Sequence, residues 1–290
     1  MIVDNMLAKA RHFIHAYGRL LERRQFEVRF EGGSPEAVGR AVKAYQNADG
    51  GLGHALEPDI RSPYSQPGFI GFGLAAMMDA GCRDPEFALS LCRYLADVSD
   101  ERGLVPFLFE NARETPLAPH WMSPTIPVDV NPTAEICGFL HFQGISHEWL
   151  SLATETCYRI FMSDPPKEAH ALACAARLAE HVPDRAMAAN LLDMLAETLP
   201  QARFFQPHAP AEGYGLTPLA FAPRPDSPLK ALFAQSQIEG HLEQLAGKQQ
   251  PDGGWPITWD PPCEAAVWEW RGKVTLDAVS ILSAYGWLTA

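Results

Sequence analysis

Four side chains that can transfer protons or carry charge lie within eight residues of one loop. They are His54, Glu57, Asp59 and Arg61. Two carboxyl groups in a partly dry cleft take different pKa values, so that one supplies an acid and the other a base. The segment also fits a solvated loop without a catalytic role. In that interpretation Arg61 pairs with Asp59 at the surface, where an ion pair contributes little to stability. The catalytic hypothesis assigns His54, Glu57 and Asp59 to the chemistry and Arg61 to substrate binding.

The same loop is a weak candidate for a metal site. His54, Glu57 and Asp59 offer nitrogen and oxygen ligands that suit a divalent cation such as Mg²⁺, but their spacing matches no clear metal motif. Cys263 lies near Asp260 without a following histidine at zinc spacing, so zinc is rejected. We therefore predict no metal and no cofactor.

Aromatic residues concentrate in the segments that connect the predicted helices. His120 precedes Trp121, and a histidine in such a segment can relay protons, although packing beside the tryptophan explains it equally. Aromatic faces stabilise a carbocation, stack on a sugar ring or simply fill a core. We predict a set of substrate-binding residues: Phe107, His120, Trp121, Trp255 and Trp259.

Hydrophobic periodicity predicts an all-α chain. Apolar residues recur at three- and four-residue steps from Val3 to Leu21, which predicts one amphipathic first helix. Strand patterns of alternating β-branched residues are nearly missing. The further predicted helices are 35–46, 67–80, 85–97, 132–143, 147–161, 167–181, 184–198, 235–248 and 272–287. Together with short helices between them we expect about ten or eleven.

Prolines mark three of the connections. The 290 residues contain 25 prolines, of which six lie in 106–132, six in 207–228 and four in 251–262. Proline stiffens a connection and interrupts helices. Since long connections in a compact domain are functional or disordered, and these contain aromatic residues, we predict ordered and functional loops.

Composition excludes several classes of protein. The net charge is −12 without a basic block, which argues against nucleic acid as a partner. Hydrophobic residues make up 47% of the chain, too many for a disordered protein. The sequence contains no run of 18 or more apolar residues, which is the length that a membrane-spanning helix needs. The basic first helix leaves peripheral membrane contact open. Scattered cysteines and no signal-peptide pattern predict a cytoplasmic location.

One turn sequence occurs twice. QNADGGL at 46–52 and QQPDGGW at 249–255 both read Gln-x-x-Asp-Gly-Gly followed by an apolar residue, and each follows a predicted helix. Weaker echoes lie at 102–107 and 212–216. Aspartate bonds to backbone amides in turns, and paired glycines permit positive φ and close approach of backbones. A repeated helix–turn–helix unit implies that neighbours stack or close into a ring.

These turns resemble a known repeat. Gln-x-x-Asp-Gly-Gly-Trp is similar to the QW-type repeat of squalene–hopene cyclases and related terpene cyclases, whose α/α-toroid architecture protein prenyltransferase β-subunits share. The segment Asp129-Val130-Asn131-Pro132-Thr133-Ala134 resembles the acidic Asp-x-Asp-Asp motif of those cyclases, followed by Thr-Ala. The resemblance implies that Asp129 and Asn131 face a central cavity at the start of a helix.

The acidic motif is degenerate. In the family the middle aspartate is the general acid, and the matching residue here is Asn131, whose amide has no acidic proton. Only Asp129 keeps its carboxyl. The segment is also a good helix start with Asn131 as the N-cap. The chain is about half the length of a two-barrel triterpene cyclase.

We therefore predict one domain over 1–290, an α/α toroid of about five to six helix pairs with proline-rich loops over its mouth. The leading hypothesis is a terpene-cyclase-like protein that binds an apolar, isoprenoid-like molecule in an aromatic cavity, with Asp129 or the Glu57 and Asp59 pair as acid. A carbohydrate-active toroid that hydrolyses or eliminates is the first alternative. A non-catalytic toroid that binds a ligand or partner is the second. The sequence leaves the oligomeric state open.

Overall fold

The chain forms twelve α-helices over the residues that the structure, a computed structural model, describes: the backbone of 3–288 and the side chains of 6–288. The all-α prediction is confirmed. A two-stranded antiparallel ribbon joins β1 (Val105–Pro106) to β2 (Val128–Asp129). The helices are α1 (Val3–Tyr17), α2 (Leu20–Phe30), α3 (Pro35–Lys43), α4 (Pro67–Asp79), α5 (Pro85–Val98), α6 (Val130–Phe142), α7 (Glu148–Ser163), α8 (Ala169–His181), α9 (Arg185–Thr198), α10 (Pro218–Phe221), α11 (Gln235–Gly247) and α12 (Glu264–Ala284).

The predicted first helix is two helices. Gly18 separates α1 from α2, and a Cβ at this position would lie 2.7 Å from the carbonyl oxygen of Ile14. Gly18 also faces Gly272 of α12, where a Cβ would approach the Gly18 Cα to 3.0 Å. The break therefore coincides with a close approach of two chain segments, which local periodicity does not reveal. The last helix begins at Glu264, eight residues before the predicted start.

Helix starts follow local chemistry. Proline occupies the first position of α3, α4, α5 and α10, where its missing N–H costs nothing. At α5 the Asp84 side chain accepts a hydrogen bond from the Phe87 N–H at 3.0 Å. At α6 Asn131 has extended φ/ψ values of −100° and 115°, so regular helix begins at Pro132.

The contacts between helices form a closed series. Helix α2 contacts α4, α4 contacts α6, α6 contacts α8, and α8 contacts α10. Helix α11 contacts both α10 and α12, and α12 returns to α2. The odd-numbered helices α1, α3, α7, α9 and α11 each pack against one or two even-numbered ones. Such a series is what a ring of helix pairs requires; the toroid itself stays a prediction.

The core lies between these helices and contains most of the thiols. Fully buried side chains include Phe13, Phe26, Phe69, Phe161 and Phe221. All six cysteines are free, five of them buried and Cys263 partly exposed. Within residues 3–288, every helix is too short or too polar to cross a membrane.

The two repeated turns have the same hydrogen bonds. The Gln46 amide nitrogen donates to the carbonyl of Gly50 at 2.9 Å, and that of Gln249 donates to Gly253 at 2.9 Å. The amides of Gly51 and Gly254 donate to the aspartate three residues after each glutamine, at 2.9 and 3.1 Å. The first glycine of each pair has φ of +89° or +94°, which requires glycine.

Each repeat glutamine also bonds to a neighbouring helix. The Gln46 side chain donates to the Ser90 hydroxyl on α5 at 3.0 Å, and the Gln249 side chain donates to the Met6 carbonyl on α1 at 2.9 Å. The predicted repeat is therefore a structural repeat, since each turn fastens its own helix pair to the next.

The weaker echo at 102–107 continues the pattern. Gly103 has φ of +82°, and the Leu104 amide donates to Asp100 at 2.9 Å. In this turn the Val105 N–H donates to the Thr133 hydroxyl on α6 at 3.0 Å; in the last turn the Trp255 N–H donates to the Thr275 hydroxyl on α12 at 2.9 Å. Threonine on the following even-numbered helix thus receives the chain as it leaves the turn.

Thr275→Val is expected to destabilise the protein by about 1–3 kcal/mol, because the buried Trp255 N–H would lose its acceptor without gaining water. Urea unfolding followed by circular dichroism measures the change. Thr275→Ser keeps the hydroxyl and is the matched control. Equal stability of the Val and Ser variants would show that this hydrogen bond does not stabilise the turn.

Candidate functional site

The chemically capable side chains gather where the chain enters the even-numbered helices. The loop 52–66 leads into α4, the loop 107–129 into α6, the loop 202–217 into α10 and the loop 255–263 into α12. Each of the three proline-rich segments overlaps one of the last three of these connections. The first of these segments contains the short 3₁₀ helix Pro119–Trp121, and the 3₁₀ helix Pro228–Leu232 begins at the end of the second.

Glu57 and Asp59 are buried, with 3% and 2% of their surface exposed. They are not the solvated loop residues of the simpler interpretation. Burial, reinforced by the charge of Asp59, raises the pKa of Glu57 well above its usual value. Oε2 of Glu57 has no hydrogen-bond partner within the described residues. Glu57 is therefore a buried carboxyl that favours its protonated form.

Asp59 connects the loop to two aromatic elements. Its Oδ1 accepts a hydrogen bond from the Trp270 indole N–H at 2.8 Å, and its Oδ2 lies 3.4 Å from Nε2 of His120. Burial raises the pKa of Asp59 to about 6, and the indole N–H groups of Trp270 and Trp259 oppose the rise. Only the Trp270 group makes a hydrogen bond of normal geometry. Asp59 is thus poised between its two protonation states near neutral pH.

Aromatic rings surround Asp59. Trp259 meets Trp270 edge to face, with centroids 5.0 Å apart, and Phe72 of α4 meets the other side of Trp270 at 5.8 Å. Tyr214 lies 6.3 Å from Trp259. The Trp259 indole N–H is buried without a hydrogen-bond partner among the described residues. A buried donor without a partner costs free energy unless a water molecule or ligand satisfies it.

A second polar chain reaches the same rings from α8. Nδ1 of His170 contacts the carboxylate of Glu168, and its Nε2 lies 2.7 Å from the Tyr214 hydroxyl. His170 lowers the pKa of His120 after the larger effect of burial, because the two imidazoles repel each other's charge. We call these residues the aromatic–acid cluster: Asp59, Phe72, His120, His170, Tyr214, Trp259 and Trp270.

Two ion pairs hold the loop in place. Arg61 pairs with Glu269 of α12, with nitrogen–oxygen distances of 2.5 and 3.2 Å. Arg19 donates to the Leu56 carbonyl at 2.8 Å and to the fully buried Glu22. The Arg61–Asp59 ion pair of the simpler interpretation is wrong. Arg61 pairs with Glu269 of α12 instead, and the Asp59 carboxyl contacts Trp270 and His120.

Deeper along the even-numbered helices the side chains are charged. Asp79 ends α4 and is exposed, yet the surrounding protein raises its pKa. Lys273 and Arg177 lower that pKa by their charges, and Lys273 donates to Asp277 at 2.8 Å. These charged side chains lie on the helices α4, α8 and α12.

Four predicted site residues lie elsewhere. Trp255 is 2% exposed and its indole N–H donates to Leu245 at 2.7 Å, so it is a core residue. His54 is exposed with φ of +59°. Asp129 is exposed and accepts from the Val130 N–H at 2.7 Å as an N-cap, and no hydrogen bond or ion pair within 3–288 joins it to Glu57 or Asp59. Asn131, the predicted N-cap, is the extended residue directly before Pro132, where regular helix begins.

Phe107 and Trp121 flank the cluster. Their rings stack with centroids 4.3 Å apart, and Trp121 lies 5.3 Å from His120. A Cβ on Gly68 would lie 2.4 Å from the Phe107 ring, so this pair covers the start of α4. Both side chains are partly exposed.

Sequence reasoning missed Glu168, His170 and Glu135. Glu168 and His170 lie at the start of α8. Neither their charge nor the hydrophobic periodicity of the sequence distinguishes them from ordinary helix-capping residues. Glu135 is the one carboxylate of the otherwise apolar α6, and that isolation is a signal. Trp270 also lies outside the predicted site residues, although it is the residue that donates to Asp59.

The surface depressions of the described structure lie away from the aromatic–acid cluster. Two open depressions of about 420 and 430 Å³ share Pro251 and Asp252 and lie beside the last repeat turn. Within the described side chains, no three of His, Cys, Asp and Glu gather as a metal site. No known protein family and no curated protein matches the chain.

Trp270→Phe is expected to raise the pKa of Asp59 above about 6, because the variant removes the indole donor that stabilises the carboxylate. Titration of ¹³C-labelled aspartate carboxyls by NMR measures it. Trp268→Phe is the control, since Trp268 stacks on Tyr17 at 4.9 Å instead. An unchanged or lower pKa in Trp270→Phe would contradict the assignment.

The raised pKa of Asp59 also predicts a pH dependence of stability. In the folded protein the group binds its proton more tightly than at its ordinary pKa of 3.8. Its contribution is therefore present below about pH 3.8 and is lost as pH rises through about 6. Asp59→Asn should flatten this part of the stability profile in urea unfolding between pH 4 and 7. A profile identical to that of the unmodified protein would contradict the prediction.

Proposed function

We propose that the aromatic–acid cluster is the acid–base site of an enzyme that acts on a small molecule with hydroxyl groups and an apolar ring face, such as a sugar. The observation that carries the proposal is Asp59, a buried carboxyl of raised pKa held between Trp270 and His120. A proton donor or acceptor with a pKa near the working pH is what general acid–base catalysis needs. The reaction class is hydrolysis or elimination at a glycosidic or similar bond.

The polar atoms of the cluster support a hydroxylated ligand. The Trp259 indole N–H is buried without a partner among the described residues. The side chains of Tyr214 and His120 are exposed. Aromatic faces with hydrogen-bonding groups at their edges bind a ring that has an apolar face and hydroxyls at its rim.

Each residue then has a role. Asp59 transfers the proton, and His120 exchanges protons with it across 3.4 Å. Trp259 supplies the face on which the ring lies, and Trp270, edge to face with it, holds Asp59. Glu57 keeps its proton and supports the loop. Phe107 and Trp121 cover the entrance.

An isoprenoid-like substrate is the second candidate function. The rings of Phe72, Trp259 and Trp270 favour it, since aromatic faces stabilise a carbocation. Asp59 would replace Asp129 as the acid, because Asp129 lies at an exposed helix cap.

The α/α toroid of terpene cyclases and prenyltransferase β-subunits is part of the proposal. The shared hydrogen bonds of the repeat turns and the closed series of helix contacts support it. The free thiols support a reducing, cytoplasmic location.

The test is a panel of oligosaccharides, with and without uronic acids, beside C15–C30 polyprenyl substrates, analysed by mass spectrometry. We expect turnover of a saccharide, and Asp59→Asn should reduce kcat by about 100-fold or more because it removes the exchangeable proton. Trp259→Phe keeps the aromatic ring and loses only the N–H, so it should raise KM with a smaller change in kcat.

The controls separate the alternatives. Glu148→Gln lies on the exposed start of α7 and should leave activity unchanged. Turnover of polyprenyl substrates alone would select the second candidate. Thermal stabilisation by a saccharide without any product would indicate a binding protein, and neither turnover nor stabilisation by any compound would overturn the proposal.

A further inference from the structure

We infer that Glu135 is a third ionisable group of this site, a proton-exchanging carboxyl that faces the substrate from helix α6. The inference rests on the proposed function. It extends that function because it adds a carboxyl from α6, whereas Asp59 and Glu57 lie in the loop before α4. It assigns a role to a residue of the described interior that the proposed chemistry does not yet use. Glu135 is the only carboxylate of α6, whose other side chains are mostly buried and apolar.

The missing side chain of Gly71 makes room for Glu135. A Cβ on Gly71 would lie 2.7 Å from Oε1 of Glu135, so the carboxyl rests directly on the backbone of α4. Gly71 has no positive φ and sits within a helix, where glycine lowers stability relative to alanine. The space that Gly71 leaves is therefore best explained by the carboxyl that fills it.

Glu135 lies next to the aromatic–acid cluster. Gly71 precedes Phe72, which meets Trp270, and Trp270 donates to Asp59. From α8, the charge of His170 acts on Glu135 and lowers its pKa. Regular helix in α6 begins at Pro132, so Glu135 lies about one turn into that helix.

The surroundings of Glu135 leave its carboxyl without a fixed partner. It forms no hydrogen bond or ion pair within residues 3–288, and it is partly exposed. The charged or titratable groups that act on it lie on α8: His170, Cys174 and Arg177. Arg177 is already bound by Glu180 at 3.0 Å. On α4, the backbone at Gly71 approaches the carboxyl.

A carboxyl with a purely structural role would be paired. Other buried or half-buried carboxylates of this protein are paired: Glu22 binds Arg19, Glu269 binds Arg61 and Glu180 binds Arg177. Within the described side chains, Glu135 has no such partner. Burial raises its pKa to about 7, against the opposing charges of Arg177 and His170, so it exchanges its proton near neutral pH. Free orientation, solvent access and this titration range together fit proton transfer to a ligand.

The first experiment titrates the glutamate carboxyls of ¹³C-labelled protein by NMR. One glutamate is expected to titrate near pH 7, to vanish from the spectrum of Glu135→Gln and to remain in Glu148→Gln. Gly71→Ala should fold, because alanine favours helix, and should shift this titration by displacing the flexible carboxyl. The Glu57 signal is identified by its loss in Glu57→Gln. If Glu135→Gln removes no near-neutral titration, or Gly71→Ala leaves unmoved the titration that Glu135→Gln removes, the inference is overturned.

The second experiment measures the pH profile of turnover on the saccharide that the panel selects. Glu135→Gln should reduce kcat by about 100-fold and remove one limb of the profile, while Gly71→Ala should shift that limb. An unchanged profile in Glu135→Gln together with loss of activity in Asp59→Asn overturns the role of Glu135 and leaves the proposed function standing. If no saccharide is turned over by the unmodified protein, the proposed function and this extension of it both fall, whatever the titration shows.

Discussion

The hydrogen bonds of the Gln-x-x-Asp-Gly-Gly turn are the constraint on which the rest of the structure depends. The first glycine, with positive φ, lets the chain reverse at the end of an odd-numbered helix. The aspartate accepts a hydrogen bond from the amide of the second glycine. The glutamine closes the turn and reaches a neighbouring helix at the same time. Because each turn joins one helix pair to the next, the arrangement of the pairs follows from a local motif.

The turns also determine where the chemistry lies. Each one delivers the chain to a loop that precedes an even-numbered helix, so all such loops contribute to one region. Stiff connections rich in proline can then project aromatic side chains without support from a sheet. Asp59, His120, Trp259 and Tyr214 come from four different loops and meet in one cluster. A site assembled in this way changes its chemistry by changing loops, while the helices stay the same.

Buried charge shapes the interior. The protein keeps Glu57, Asp59 and Glu135 in surroundings that raise their pKa values, and it leaves them without cationic partners in direct contact. Desolvation of this kind costs stability, and packed apolar side chains would avoid the cost. The arginines nearby are occupied elsewhere: Arg19 binds Glu22, Arg61 binds Glu269 and Arg177 binds Glu180. The protein thus holds protonatable groups apart from its ion pairs, an arrangement that suits proton transfer better than stability.

The sequence by itself determined the helical class, the positions of most helices and the two repeat turns, because periodicity, proline at helix starts and paired glycines act over a few residues. It also selected the loop with Glu57 and Asp59. It did not separate Asp59 from His54, which faces solvent five residues earlier, or Trp259 from the buried Trp255. Those distinctions depend on which side chain meets Trp270, Leu245 or water, and such contacts join residues up to 211 positions apart. The partner of Arg61, the break at Gly18 and the exposure of Asp129 were likewise decided only by the tertiary structure, since burial and ion pairing arise when distant helices pack together.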